Sequence, residues 1–343
     1  MRRFWCDCGH PLFFESTSCN NCGAQVGYDP RSGDMLPLRG NRTSSLFQAQ
    51  GDFDWCANGQ NHAVCNWLVP ADQKGNLCEG CRFNRTIPWL GKEENIQRWK
   101  GFEVAKKRLL YTLTSLQLPL VDGSTDPERG LLFDFIEDQR SNPVMLESFV
   151  STGYLSGVIT INAMEADDLA REQERVRMNE SYRTLLGHLR HESGHFFQAY
   201  VLHDEALNSE FRRLFGDPDT DYQAALQRHY DLGPAEGWSN YYISSYASAH
   251  PVEDWAECWS HYLHMIDTLE TAAAYRMIES PDLQRDFRSI ANQWRNLSVV
   301  MNELNRSIGL ADAYPFVINE WVEQKLAFVG RSIEELCLKS RYS

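Results

Sequence analysis

Long apolar runs, basic charge and late cysteines are what this chain lacks. Its 343 residues contain no stretch of 18 apolar positions, so no membrane-spanning helix and no membrane partner are expected. Basic side chains number 33 against 47 acidic ones, a formal net charge of −14. The deficit is local. Residues 1–90 hold eight of each sign, whereas residues 91–343 hold 25 basic and 39 acidic side chains. A surface of that sign repels phosphate, so nucleic acid is not an expected partner. Cysteine is nearly absent beyond position 81, where only Cys258 and Cys337 remain of ten. The opening Met1-Arg2-Arg3-Phe4-Trp5-Cys6 lacks the apolar segment of a secretory signal. A cytoplasmic location is therefore expected, and there clustered thiols read as metal ligands before disulfides.

What is present is 43% hydrophobic and 23% charged residues, a globular composition, long enough for two or three domains. The first 90 residues are punctuated by Gly, Asn, Pro and Ser and allow only short strands, such as Phe4-Trp5 and Pro11–Phe14. Such a segment needs a staple, and eight cysteines offer one. Cys6 and Cys8 precede Cys19-x-x-Cys22; Cys56 and Cys65 precede Cys78-x-x-Cys81. A C-x-x-C pair brings two thiolates to one ion, and tetrahedral zinc takes four. Glycines after Cys8 and Cys22 suit tight knuckles around sulfur. The simplest pairing is sequential, giving one quartet of Cys6, Cys8, Cys19 and Cys22 and another of Cys56, Cys65, Cys78 and Cys81; a crossed pairing also satisfies the spacing. Both quartets would be closed structural zinc sites with no open position for chemistry. His10 and His62 are left as surface polar residues, since eight thiols fill two sites. Trp5, Trp55, Trp67 and Trp89 are read as a thin core rather than a contact surface. The segment Asp29–Gln50 reads as a connector between the clusters.

From about residue 93 a helical period begins (Ile96, Trp99, Phe102, Ala105, Leu109, Leu113) and runs to 117 ahead of Pro119. Leu131–Ile136 and Val158–Asn162 read as strands. Helices are expected over 164–178, 181–202, 219–229, 251–278, 283–305 and 315–329. Two strands followed by many helices is an α+β arrangement: a zinc-ribbon segment over 1–90, then a mostly helical domain with a small sheet over 91–343.

The strongest signal is His191-Glu192-Ser193-Gly194-His195, within a helical apolar pattern of Leu185, Leu189, Phe196 and Tyr200. Histidines at i and i+4 on a helix lie about 5–6 Å apart on one face, which suits two imidazoles on one zinc. Glu192 flanks them, able to reach water without binding the metal. A third ligand must come from elsewhere. The metzincin continuation fails, because positions 198 and 201 are Gln and Val. Downstream, His250-Pro251 opens a helix carrying Glu253 and Glu257 on one face. Glu253 can bind the metal while Glu257 accepts the distal N–H of a ligand histidine; the two roles are exchangeable at this level. His188 and His250 are read as supporting residues, His250 as a helix cap, and Cys258 as a buried thiol.

The pairing of His-Glu-x-x-His with Glu253-Asp254-x-Ala256-Glu257 resembles a gluzincin-type metallopeptidase. The run Tyr242–Ala247 resembles zincins related to anthrax lethal factor, in which a tyrosine seven residues before the glutamate ligand stabilises the oxyanion; Tyr246 stands at that spacing. With cysteine quartets ahead of this domain, the whole chain resembles a bacterial family of zinc-binding metallopeptidases. The resemblance implies a zincin-like domain, ligands His191, His195 and Glu253, Glu192 as general base, Tyr246 as oxyanion donor and Glu257 behind a ligand histidine. It implies one catalytic and two structural zinc ions and a peptide or protein substrate. The strand Val158–Asn162 is expected to form a sheet edge to which an extended substrate could add. Two other readings fit the same residues: a catalytically idle zinc-ribbon interaction protein, and a zinc hydrolase of a non-peptide substrate.

Overall fold

The computed structural model describes residues 1–38, 53–178, 180–281 and 286–340. The arrangement is α+β and divides into two compact units, residues 2–111 with 120–172, and Met1 with 112–119 and 173–343.

The first unit opens with short antiparallel pairs. β1 (Phe4–Trp5) pairs with β2 (Pro11–Leu12), β3 (Val26–Asp29) with β4 (Asp34–Pro37), and β5 (Phe53–Trp55) with β6 (Leu68–Pro70). The β3–β4 hairpin occupies the start of the expected connector; residues 39–50 of that connector lie outside the described residues. Short helices α1 (Ala57–His62) and α2 (Glu79–Arg82) begin directly after Cys56 and Cys78. A knot of rings from Phe4, Phe14, Tyr28, Trp67 and Tyr111 fills the small interior. Trp67 is the one expected core tryptophan found fully inside; Trp5 and Trp89 are about half exposed.

β7 (Asn84–Thr86), β8 (Leu132–Ile136), β9 (Gly153–Leu155) and β10 (Val158–Asn162) form one sheet in the order β7-β8-β10-β9. β8 lies parallel to both β7 and β10, and β9 runs antiparallel to β10. The helix α3 (Glu93–Ser115) stacks Phe102 on Phe135 of β8, with ring centres 4.3 Å apart. The expectation that Val158–Asn162 forms the sheet edge is corrected here. Ser156 and Gly157 both take positive φ, 46° and 83°, which closes a two-residue hairpin. That turn folds β9 back onto the free side of β10, so β10 is an inner strand.

The second unit is helical. The first unit ends with a 3-10 turn over Ala163–Ala166 and the start of α4 (Asp168–Arg177); then come α5 (Leu185–His203), α6 (Glu205–Phe215), α7 (Tyr222–Leu232), α8 (Pro251–Ala274), α9 (Phe287–Ser307) and α10 (Glu320–Ser340). Several ends differ from expectation. α5 starts at 185, not 181, because Thr184 caps it by accepting from Gly187 N–H. α6 was not expected; its apolar face is the narrow stripe Leu207, Phe211 and Phe215 among charges. The start of the helix expected over 283–305 lies outside the described residues; α9 is described from Phe287 to Ser307. α10 runs over 320–340 rather than 315–329.

The core of this unit is the crossing of α5 and α8. Trp255, Trp259, Phe197, Phe211 and Phe328 are buried around it. Trp255 Nε1 donates to the Gly194 carbonyl at 2.8 Å, and Trp259 Nε1 to Ser193 Oγ at 3.0 Å. Thus Ser193 and Gly194, two of the three residues between the motif histidines, serve packing. A Cβ on Gly194 would lie 3.0 Å from Ala256 Cα and 3.1 Å from Trp259 Cβ, so a larger residue must push the helices apart. Gly194→Val is expected to destabilise by about 1–3 kcal/mol through overpacking, as measured by urea denaturation; wild-type stability would contradict this contact.

Candidate metal centres

α8 starts in a way that presents two acids. His250 is its N-cap, accepting the Val252 N–H at Nδ1, and Pro251 occupies the first turn. Glu253 then sits in the first turn and Glu257 one turn later. The α5–α8 crossing lays both against the histidine face of α5. His191 Nε2 is 3.0 Å from Glu253 Oε2, and His195 Nε2 is 3.6 Å from the same oxygen. The two imidazole centres are 5.0 Å apart. The donor atoms of His191, His195 and Glu253 all lie within 4.8 Å of one another. Zinc with bonds of about 2.0–2.1 Å has tetrahedral edges of roughly 3.3 Å, so this donor set fits one zinc ion and leaves a position open.

Distance separates the two glutamates: Glu253 lies with the donor atoms of His191 and His195, and Glu257 does not. Glu257 Oε1 accepts from His191 Nδ1 at 2.8 Å, on the side of the ring away from Glu253. Its other oxygen accepts from Ser244 Oγ at 2.5 Å. Glu257 therefore lies behind the His191 ring, outside the three-residue donor set. Burial pulls the His191 imidazole toward neutrality, but the bonds from Glu253 and Glu257 outweigh it and raise its pKa well above the usual range without a metal.

Glu192 is buried, and burial lifts its carboxyl above the ordinary carboxylate range, against the pull of His191 and His195. Burial and the nearby Glu253 keep the Tyr246 phenol protonated. The Tyr246 ring lies 6.0 Å from the His191 ring and 5.9 Å from that of His229. Its ring partners are thus at the site. His188 is not among the metal-donor groups. His261 donates or accepts at Tyr314 Oη at 2.8 Å inside the core, where burial lowers it to about 4.

Three further residues lie at the site. Tyr222 on α7 donates to Glu253 Oε1 at 2.7 Å. Ser244 and His229 also reach the site. Tyr222 is one of fourteen tyrosines, and its spacing from Glu253 follows no helical period. Only Ser244, two residues before Tyr246, was open to a local argument.

The early cysteines gather in the sequential quartets, Cys6 with Cys8, Cys19 and Cys22, and Cys56 with Cys65, Cys78 and Cys81. Sulfur separations are 3.6 Å for Cys6–Cys22, 3.6 Å for Cys8–Cys19 and 3.7 Å for Cys65–Cys78. Zinc–sulfur bonds of about 2.3 Å give tetrahedral edges of roughly 3.8 Å, whereas a disulfide would need about 2.05 Å. The quartets fit zinc. They differ in setting. Cys8 and Cys22 are exposed, while all four thiols of the second quartet are buried. Beside the second quartet the buried Lys106 and Lys107 both bond to the buried Glu103, at 2.9 and 2.7 Å. Burial disfavours the Lys107 ammonium, but Cys65 and Glu103 hold it charged. A buried cation of this kind offsets the formal −2 of a zinc tetrathiolate.

Residues 95–332 match the family described as "Putative zinc-binding metallo-peptidase", and residues 3–92 match the family described as "zinc-ribbon domain". Uncharacterized proteins of Mycobacterium bovis and Mycobacterium tuberculosis are each 41% identical over 345 residues, covering 98% of this chain and 96% of theirs. No solved structure matches the chain. Among the described residues no helix is long and apolar enough to cross a membrane.

The unequal burial of the quartets predicts an order of zinc loss. Under a chelator with a thiol-alkylating reagent, Cys8 and Cys22 should be labelled before any of Cys56, Cys65, Cys78 and Cys81, as read by peptide mass mapping. Earlier labelling of the second quartet would contradict the difference in shielding.

Proposed function

Because the chain belongs to the zinc-binding metallopeptidase family matched over residues 95–332, we propose that it hydrolyses peptide bonds at the centre formed by His191, His195 and Glu253. The observation that carries this reading is the donor set itself: two imidazoles and one carboxylate within 4.8 Å, beside a buried glutamate. A zinc ion held there supplies Lewis acidity, which brings the deprotonation of water toward neutral pH.

The side chains then divide the work. Glu192 takes a proton from the attacking water and delivers it to the leaving amine. Its burial supports that role, since a carboxyl lifted from its ordinary range holds a proton better between the two transfers. Tyr246 donates its hydroxyl to the oxyanion that develops on the carbonyl. Glu257, braced by Ser244, holds the His191 ring. The two cysteine quartets hold structural zinc, with four thiolates each and no position for substrate. The need to keep eight thiols reduced supports a cytoplasmic location. The substrate class is a peptide or protein; the acidic surface gives no support to a nucleic-acid partner.

Glu192→Gln keeps the shape of the side chain and removes its basicity. Turnover of a peptide library should fall by about 10²–10⁴-fold while metal content stays at the wild-type value. Equal turnover in the variant would remove Glu192 from the mechanism. A fully metal-loaded wild type that cleaves no peptide would favour the idle-module or non-peptide reading.

A further inference from the structure

We propose that Tyr222 is a positioning residue for the metal: its hydroxyl engages Glu253 Oε1 so that Oε2 alone is presented to the ion. This rests on the metal-site reading of His191, His195 and Glu253, and not on peptide hydrolysis.

Glu253 is 1% exposed, so water does not satisfy its second oxygen. Tyr222 does, at 2.7 Å. The other oxygen, Oε2, is the one at 3.0 and 3.6 Å from the two imidazole nitrogens. A buried carboxylate with one oxygen unsatisfied is free to turn, so that neither oxygen is held toward the ion. An O–H bond to Oε1 holds that oxygen and leaves Oε2 toward the ion.

The placement of Tyr222 is built rather than incidental. α7 has no buried residue, so core packing does not bring it to the site. It is held at its start. His250 accepts the Val252 N–H at Nδ1, so its Nε2 carries the proton and donates to the Thr220 carbonyl at 3.1 Å, with Thr220 Oγ1 2.8 Å away. The same ring meets Tyr222 edge to face, with centres 5.2 Å apart at 78°. Asp221 then caps α7 by accepting from Ala224 N–H. One histidine therefore caps the helix that carries Glu253 and anchors the segment that carries Tyr222. The ligand and its brace are indexed to the same ring.

The test is Tyr222→Phe in the full chain, beside Tyr230→Phe as a control on the same helix. Zinc affinity is measured by chelator competition, with metal content followed for each step of release. Tyr222→Phe should weaken the zinc held by His191, His195 and Glu253 by about 10–100-fold. It should leave the eight-thiolate zinc and the melting temperature of the chain unchanged, and Tyr230→Phe should match wild type. Wild-type affinity in Tyr222→Phe overturns the proposal. So does a loss spread over every zinc together with a lower melting temperature, which marks a folding role. Failure of peptide hydrolysis in a wild type whose histidine site binds zinc would sink the proposed activity and leave this inference standing.

Discussion

The close crossing of α5 and α8 is the constraint on which the candidate active centre depends. Gly194 leaves room for the α8 backbone at Ala256 and for Trp259. The indole N–H groups of Trp255 and Trp259 bond to Gly194 O and Ser193 Oγ, which fixes both the depth and the register of the contact. Once the register is set, His191 and His195 face Glu253, and Glu257 falls behind His191. Packing and metal chemistry therefore share a five-residue segment: positions 193 and 194 hold the helices together, while positions 191, 192 and 195 face the site. Lys325 adds a buried ion pair with Asp254 at 2.5 Å, tying α10 to α8 one residue from Glu253.

The chain separates two kinds of metal site by donor chemistry. Thiolates alone make the early quartets, closed and able to stabilise a segment with little apolar core. Nitrogen and oxygen donors make the later group, which in the proposed active site would hold an ion with three protein ligands and room for a fourth. Charge follows the same division. Residues 91–343 carry the whole formal excess of −14, and the buried Lys106 and Lys107 lie where the second quartet would add negative charge. Glu253, Glu257 and Glu192 place three carboxylates around two imidazoles. Such a cluster is costly when buried without a cation, so its charge balance favours a bound divalent ion.

Much of the site could be read from the sequence because its spacings are local. His191 and His195 are one helical turn apart, as are Glu253 and Glu257, and a helix period places each pair on a face. The cysteine quartets are legible for the same reason. What escaped is what depends on tertiary approach. Tyr222 reaches Glu253 through the anchoring of its segment by His250, and no periodicity links positions 222, 250 and 253. The helical spacing alone leaves Glu253 and Glu257 exchangeable; their separate placement against His191 comes from the packing of α8 on α5. In the fold, the mistaken sheet edge came from a turn: Ser156 and Gly157 adopt left-handed backbone, and only that geometry returns β9 along β10. α6 was legible and passed over: Leu207, Phe211 and Phe215 stand at i, i+4 and i+8, a helical stripe.

The central claim is that a third zinc site, free of cysteine, exists beside the two thiolate quartets. Metal analysis of the purified full chain next to His195→Ala tests it most directly. Three zinc ions per chain falling to two in the variant is the result this account predicts. Two ions in the wild type, or three retained in His195→Ala, would contradict it.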